Sequence, residues 1–156
     1  MSLFDEILED QQEYHRKTQS MMGIVYGVVK ENWDQEHPGM VKVEILTGES
    51  GKNISDWMPV MASYAGPEYG AYALPEIGTQ VVVAFEMGNL SSPLVIGCLW
   101  NQKDALPPNT ANEKNTEKTL VTKGGTRITI SDEEGKEKLE LYLHKNQKAR
   151  ARLLAA

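Results

Sequence analysis

Three histidines, one cysteine and a scatter of carboxylates are the side chains in this sequence most able to do chemistry. The histidines, His15, His37 and His144, lie in separate segments. None has the His-x-His or His-x₃-His spacing that zinc and iron sites use, so each reads as a surface histidine and neither metal nor cofactor is expected. Cys98 sits in the apolar run Leu94-Val95-Ile96-Gly97-Cys98-Leu99-Trp100. Apolar surroundings raise a thiol's pKa and blunt it, so Cys98 reads as a buried small hydrophobe rather than a nucleophile. A lone cysteine closes no internal disulfide, which fits a reducing compartment. Glu76 and Glu86 are the one carboxylate pair to weigh for glycoside hydrolysis. Exposed carboxylates at strand ends are the simpler reading. There is no Gly-x-Ser-x-Gly elbow and no Walker loop, and Gly124-Gly125 is followed by no helix start that would make it a phosphate loop. No catalytic constellation emerges, and the chain is not expected to be an enzyme.

Charge narrows the partners. The chain has 156 residues and a formal net charge of −6. Between Gly23 and Trp100 the basic residues are Lys30, Lys42 and Lys52, against nine acidic residues and no arginine. Trp33, Trp57, Tyr64, Tyr69 and Tyr72 could stack bases, but without interleaved cations they make a poor polyphosphate surface. Nucleic acid is therefore not an expected partner. No apolar run approaches the length needed to span a bilayer. The acidic opening Met1-Ser2-Leu3-Phe4-Asp5-Glu6 is not a secretory signal, so any export uses another route.

The elements follow from periodicity. Residues 1–20 read as a helical arm, with Leu3, Phe4, Ile7 and Leu8 on one stripe and Ser2, Asp5 and Glu6 as its cap region. Two readings of the arm stand open, a solvated leader and a docking arm for a hub protein. Residues 21–100 carry five strand patterns: 24–30, 40–46, 56–61, 80–86 and 94–100. In the second, outward charges (Lys42, Glu44) alternate with inward apolar residues. Residues 66–70 read as a loop. Five strands in under 80 residues, with no helical pattern between them, fit a small closed barrel such as an OB-fold. Residues 101–117, with Pro107-Pro108 and several asparagines, read as a linker or ordered arm.

Strands return over 118–145. Leu120 lies in the first, Ile128 and Ile130 share a face of the second, and Leu139, Leu141 and Leu143 share a face of the third. Three short strands cannot bury such faces alone, so partner copies are expected, with three-fold closure into a homotrimer. Residues 146–156 form a C-terminal tail with no assigned role. The fold class is all-β: a five-stranded OB-fold barrel, then a short trimeric β-prism or β-helix stub, with an N-terminal helix.

The stretch Gly23 to Trp100 resembles the OB-fold domain of phage-baseplate central spikes and of the VgrG spikes of type VI secretion. The resemblance rests on Gly23-Ile24-Val25, on Gly39-Met40-Val41-Lys42-Val43, on Trp57, and on Gly88-Asn89 with Pro93-Leu94-Val95-Ile96-Gly97. Above all it rests on Leu74-Pro75-Glu76-Ile77-Gly78 running into the strand Val81 to Glu86. The block from Lys123 to Ile130 and that from Gly135 to Leu141 look like the start of the family's spike. The sequence departs from the pattern at Thr79 and Gln80, where an acidic residue is usual, and at Met58, where a basic one is. It has no lysozyme-like insertion, no large hub domain and no histidine pair at a tip. The resemblance implies a minimal structural spike subunit of a phage tail, tailocin or injection system. It would be a homotrimer, with hub, baseplate and a PAAR-like tip protein as separate chains, touching a target membrane only on firing. A carbohydrate- or nucleic-acid-binding OB module is the alternative.

Overall fold

The computed structural model describes residues 23–46 and 53–143. The proposed N-terminal arm with Leu3, Phe4, Ile7 and Leu8, and the tail 146–156, lie outside the described residues. The chain divides into two compact units, Met1–Asn101 and Gln102–Ala156.

The first unit is a nearly closed five-stranded barrel. Its strands are β1 (Ile24–Glu31), β2 (Met40–Ile45), β3 (Met58–Pro59), β6 (Gln80–Phe85) and β7 (Pro93–Cys98), ordered β3-β2-β1-β6-β7. Two shorter strands, β4 (Ala65–Gly66) and β5 (Tyr69–Gly70), form a separate hairpin. The five-strand pattern expected of an OB-fold is present, and named pairs are antiparallel. A parallel bridge between Val60 and Val95 joins the outer strands, and Met61 N–H donates to Val95 O over 2.8 Å. Alternation places Val29, Val41, Val43, Met58, Val81, Val83 and Val95 inside, all essentially buried. β-branched valines dominate because they pack well on a tightly curved pleated surface.

Gly27 lets β1 lie close against β2. A Cβ there would lie 2.2 Å from Val43 Cγ1 and 2.9 Å from Glu44 O. The Leu-Pro-Glu-Ile-Gly block has an equally local cause. Leu74 packs on the core, and Pro75 O accepts from Asn32 Nδ2 over 3.1 Å. Gly78, at φ +92°, then donates to Val29 O, and Val29 N–H donates to Thr79 O. The block is a turn that docks on β1 and sets the register of β6, and the backbone at Gly78 disfavours any side chain.

Three readings need correction. Residues 66–70 are not simply a loop, since β4 and β5 pair Ala65 with Gly70 and Gly66 with Tyr69. Glu44 does not point into solvent. It is 5% exposed because Lys30 pairs with it and the chain at Ile54 bridges against it. Cys98 is not buried but exposed at the end of β7, with residual burial pushing its thiol above the ordinary range.

The second unit holds an antiparallel sheet of β8 (Glu117–Val121), β9 (Arg127–Ser131) and β10 (Lys138–Tyr142), ordered β10-β9-β8. The β8–β9 turn closes through Thr122 and Thr126, with Gly125 at φ +88°, so Gly124-Gly125 is hairpin chemistry. The segment ahead of β8 is ordered by turns. Asn109 and Asn115 hold positive φ, which asparagine tolerates, and Asn112 Oδ1 accepts from Thr116 N–H over 3.2 Å.

Candidate functional site

The sheet of the second unit has two faces of opposite character, and its register explains why. Leu120 lies opposite Ile128, and Ile128 opposite Leu141. In the next row Lys118 lies opposite Ile130, and Ile130 opposite Leu139. Residues directly opposite in an antiparallel ladder point to the same side. Leu120, Ile128, Ile130, Leu139 and Leu141 therefore form one continuous apolar patch, with Lys118 at its corner. The five apolar residues are 41–72% exposed. A patch of this kind, with no other described residue packed over it, marks an interaction surface. Leu143 follows the last paired residue and is half-buried. Six residues were expected at a trimer contact, and the register brings five of them together.

The opposite face is polar. Its rows are Glu117–Ser131–Lys138, Thr119–Thr129–Glu140 and Val121–Arg127–Tyr142. Ser131 is buried and donates to Glu117 Oε1 over 2.7 Å. Thr119 Oγ1 donates to Ile128 O over 3.1 Å and lies 3.2 Å from Thr129 Oγ1. Pro108, Asn109 and Thr110 overhang this face, enclosing with it a cleft of about 570 Å³. Sequence reading gave this side no role. Its one visible signal is an arginine, Arg127, at the start of an otherwise uncharged strand.

On the barrel, charge and aromatics form a connected surface cluster. Lys42 Nζ lies 3.2 Å from Glu31 Oε1 and 4.9 Å from the centre of the Trp57 ring. His37 stacks on Trp57 at 5.7 Å, and its Nδ1–H donates to Asp34 Oδ1 over 2.8 Å. That hydrogen bond, first among its causes, holds the Asp34 carboxyl below its ordinary range. Lys30 and Lys42 are thus each engaged by a carboxylate, which weakens the case for a polyphosphate surface. Trp33, Tyr64, Tyr69 and Tyr72 are exposed. Glu76 and Glu86 are exposed too, at opposite ends of the 76–86 segment. Among the described residues no group of three or more His, Cys, Asp or Glu is placed to hold a metal, and no helix is long and apolar enough to cross a membrane.

Comparison with known proteins bears on this arrangement. The family model of the type VI secretion system/phage-baseplate injector OB domain matches residues 25–100, essentially the barrel. The chain is similar to the type VI secretion system spike protein VgrG1c of Pseudomonas aeruginosa, at 32% identity over 129 residues, covering 76% of this chain and 18% of that protein. For VgrG1b of the same organism the identity is 31% over 129 residues, covering 76% and 17%. For the actin cross-linking toxin VgrG1 of Vibrio cholerae it is 30% over 132 residues, covering 80% and 12%. The chain spans less than a fifth of the length of each of these relatives.

Proposed function

Because the chain belongs to the VgrG-type spike family through its injector OB domain, we propose that it is a non-enzymatic central-spike subunit of a contractile phage tail, tailocin or injection system. In this reading residues 21–100 are the barrel domain, 101–117 the linker and 118–145 the spike strands. Three copies bring their apolar faces together around one axis, beneath a hub, and the N-terminal arm with Leu3, Phe4, Ile7 and Leu8 docks on that hub. A separate PAAR-like protein caps the tip. The subunit assembles in the bacterial cytoplasm as part of the particle and meets the target envelope only on firing. The observation that carries the proposal is the ladder Leu120–Ile128–Leu141 with Ile130 and Leu139, an apolar face that no part of the sheet covers.

Tagging the chain and imaging particles by electron microscopy with gold-labelled antibody tests the assignment. One label site at the baseplate end is expected, together with loss of intact particles when the gene is deleted. Normal particles without the chain would refute it.

A further inference from the structure

The polar cleft of the second unit contains two hydrogen-bonding groups that no described residue answers. Arg127 Nε–H and the Thr110 hydroxyl are both shut off from solvent and have no hydrogen-bond partner among the described residues. Both residues line the cleft. Both groups can donate, so what the cleft lacks is an acceptor. A buried donor left unpaired is costly, so two in one place favour an occupant that accepts from them.

The surrounding acids do not fill the gap, and the register says why. Arg127 stands in the end row with Val121 and Tyr142. Glu140, one row away, lies at a diagonal of about 7–8 Å and is taken by Lys138, whose Nζ is 3.2 Å from its Oε2. Glu117, two rows away, accepts from Ser131. The Thr119 hydroxyl donates to Ile128 O.

We propose that this cleft binds a carboxylate, the Arg127 and Thr110 side chains turning toward it so that one oxygen accepts from Arg127 and the other from Thr110. Arginine suits the task because its guanidinium presents several N–H groups in one plane that match two oxygens. Glu117 and Glu140 balance Arg127 and Lys138 in the lining, so the site tolerates one added negative charge better than two. A singly charged carboxylate is therefore favoured over a phosphate. Its source is either a small organic acid or an acidic side chain of a neighbouring polypeptide. The cleft shares Leu141 with the apolar face, but Arg127 and Thr110 are not part of that face and the proposal does not rest on the spike reading.

The test follows the Arg127 Nε–Hε resonance of the full-length protein by NMR at constant ionic strength. Acetate, a capped glutamate tripeptide, inorganic phosphate and chloride are titrated separately. Saturable shifts with acetate or the peptide, and weaker ones with phosphate, are expected. Tighter binding of the peptide than of acetate identifies a polypeptide source, and equal binding a small acid. Arg127→Lys, followed through the Thr110 backbone amide because the Arg127 resonance is gone, should weaken binding about tenfold, the equivalent of one charge-assisted hydrogen bond, and Thr110→Val should weaken it by a similar factor. Thr110→Val leaves the sheet itself untouched, so it keeps the test valid if the Arg127 variant misfolds. No saturable shift, an equal response to chloride, or a preference for phosphate overturns the proposal. So does an ordered water that satisfies both donors and is not displaced by acetate.

Discussion

Replacing Leu120 by aspartate tests the proposed trimer most directly. Leu120 is 60% exposed in the isolated chain and stands in the all-apolar row with Ile128 and Leu141. The five apolar residues of the face are on average about half exposed. Burying what remains would recover about 4–8 kcal/mol per chain, at about 1.5–3 kcal/mol for each whole side chain. Leu120→Asp forfeits about 1–2 kcal/mol of this in each copy. It also brings a carboxylate to the contact. Keeping it protonated at neutral pH, against an unperturbed pKa of about 3.9, costs about 4 kcal/mol per copy. Burying it ionised costs more. The loss approaches everything the face can supply, and it is repeated in each of three copies. In a lone chain the new aspartate would be solvated, so the sheet should survive. Sedimentation velocity is expected to show trimer for the parent and monomer for Leu120→Asp, with β-type circular dichroism retained in both. Thr119→Asp carries the same charge one residue away, on the opposite face, and should leave the trimer intact. A trimeric Leu120→Asp protein, or equal dissociation by both variants, would refute the face assignment.

Three further outcomes follow from the barrel and its surface. Gly27→Ala drives a methyl group into Val43 and the Glu44 carbonyl. Thermal unfolding should reveal a loss of about 1–3 kcal/mol, and an unchanged melting temperature would mean the strands part at no cost. Asp34 has its folded pKa depressed, chiefly by the His37 hydrogen bond. Its contribution is therefore present above the unfolded pKa and lost as pH falls through the lower folded value. The Asp34 carboxyl carbon should titrate below 3.8 by NMR, and His37→Ala should move the midpoint upward; no movement would show that His37 is not the cause. Cys98 is exposed but its thiol is raised by partial burial. Maleimide should label the folded protein completely, with a rate that keeps rising at alkaline pH past the usual thiol range; protection in the native state would contradict the exposure.

The sequence by itself determined where the longer strands run and which relatives the barrel has. Period-2 valines at 41 and 43 or 81 and 83 have one way to hide their apolar side, and a Pro-Glu-Ile-Gly turn can be read in a single stretch of chain. Elements made of few or weakly β-forming residues were harder to read. The β4–β5 hairpin rests on two residues a side, with the Tyr69 ring lying over Gly66 where a Cβ would have to displace it. Glu44 reads locally as an outward charge in an alternating strand. It is buried because Lys30 from β1 and Ile54 from a distant segment reach it. The apolar residues of β8, β9 and β10 were visible one strand at a time, but their union into one patch needed the pairing Leu120–Ile128–Leu141. The unanswered donors of Arg127 and Thr110 had no signature in the sequence, because a missing partner is a property of the space around a group. Alternation is a short-range consequence of backbone geometry and is written along the chain. Register, burial of charge and the shape of a cleft arise from contacts between residues far apart in sequence, and only the folded chain decides them.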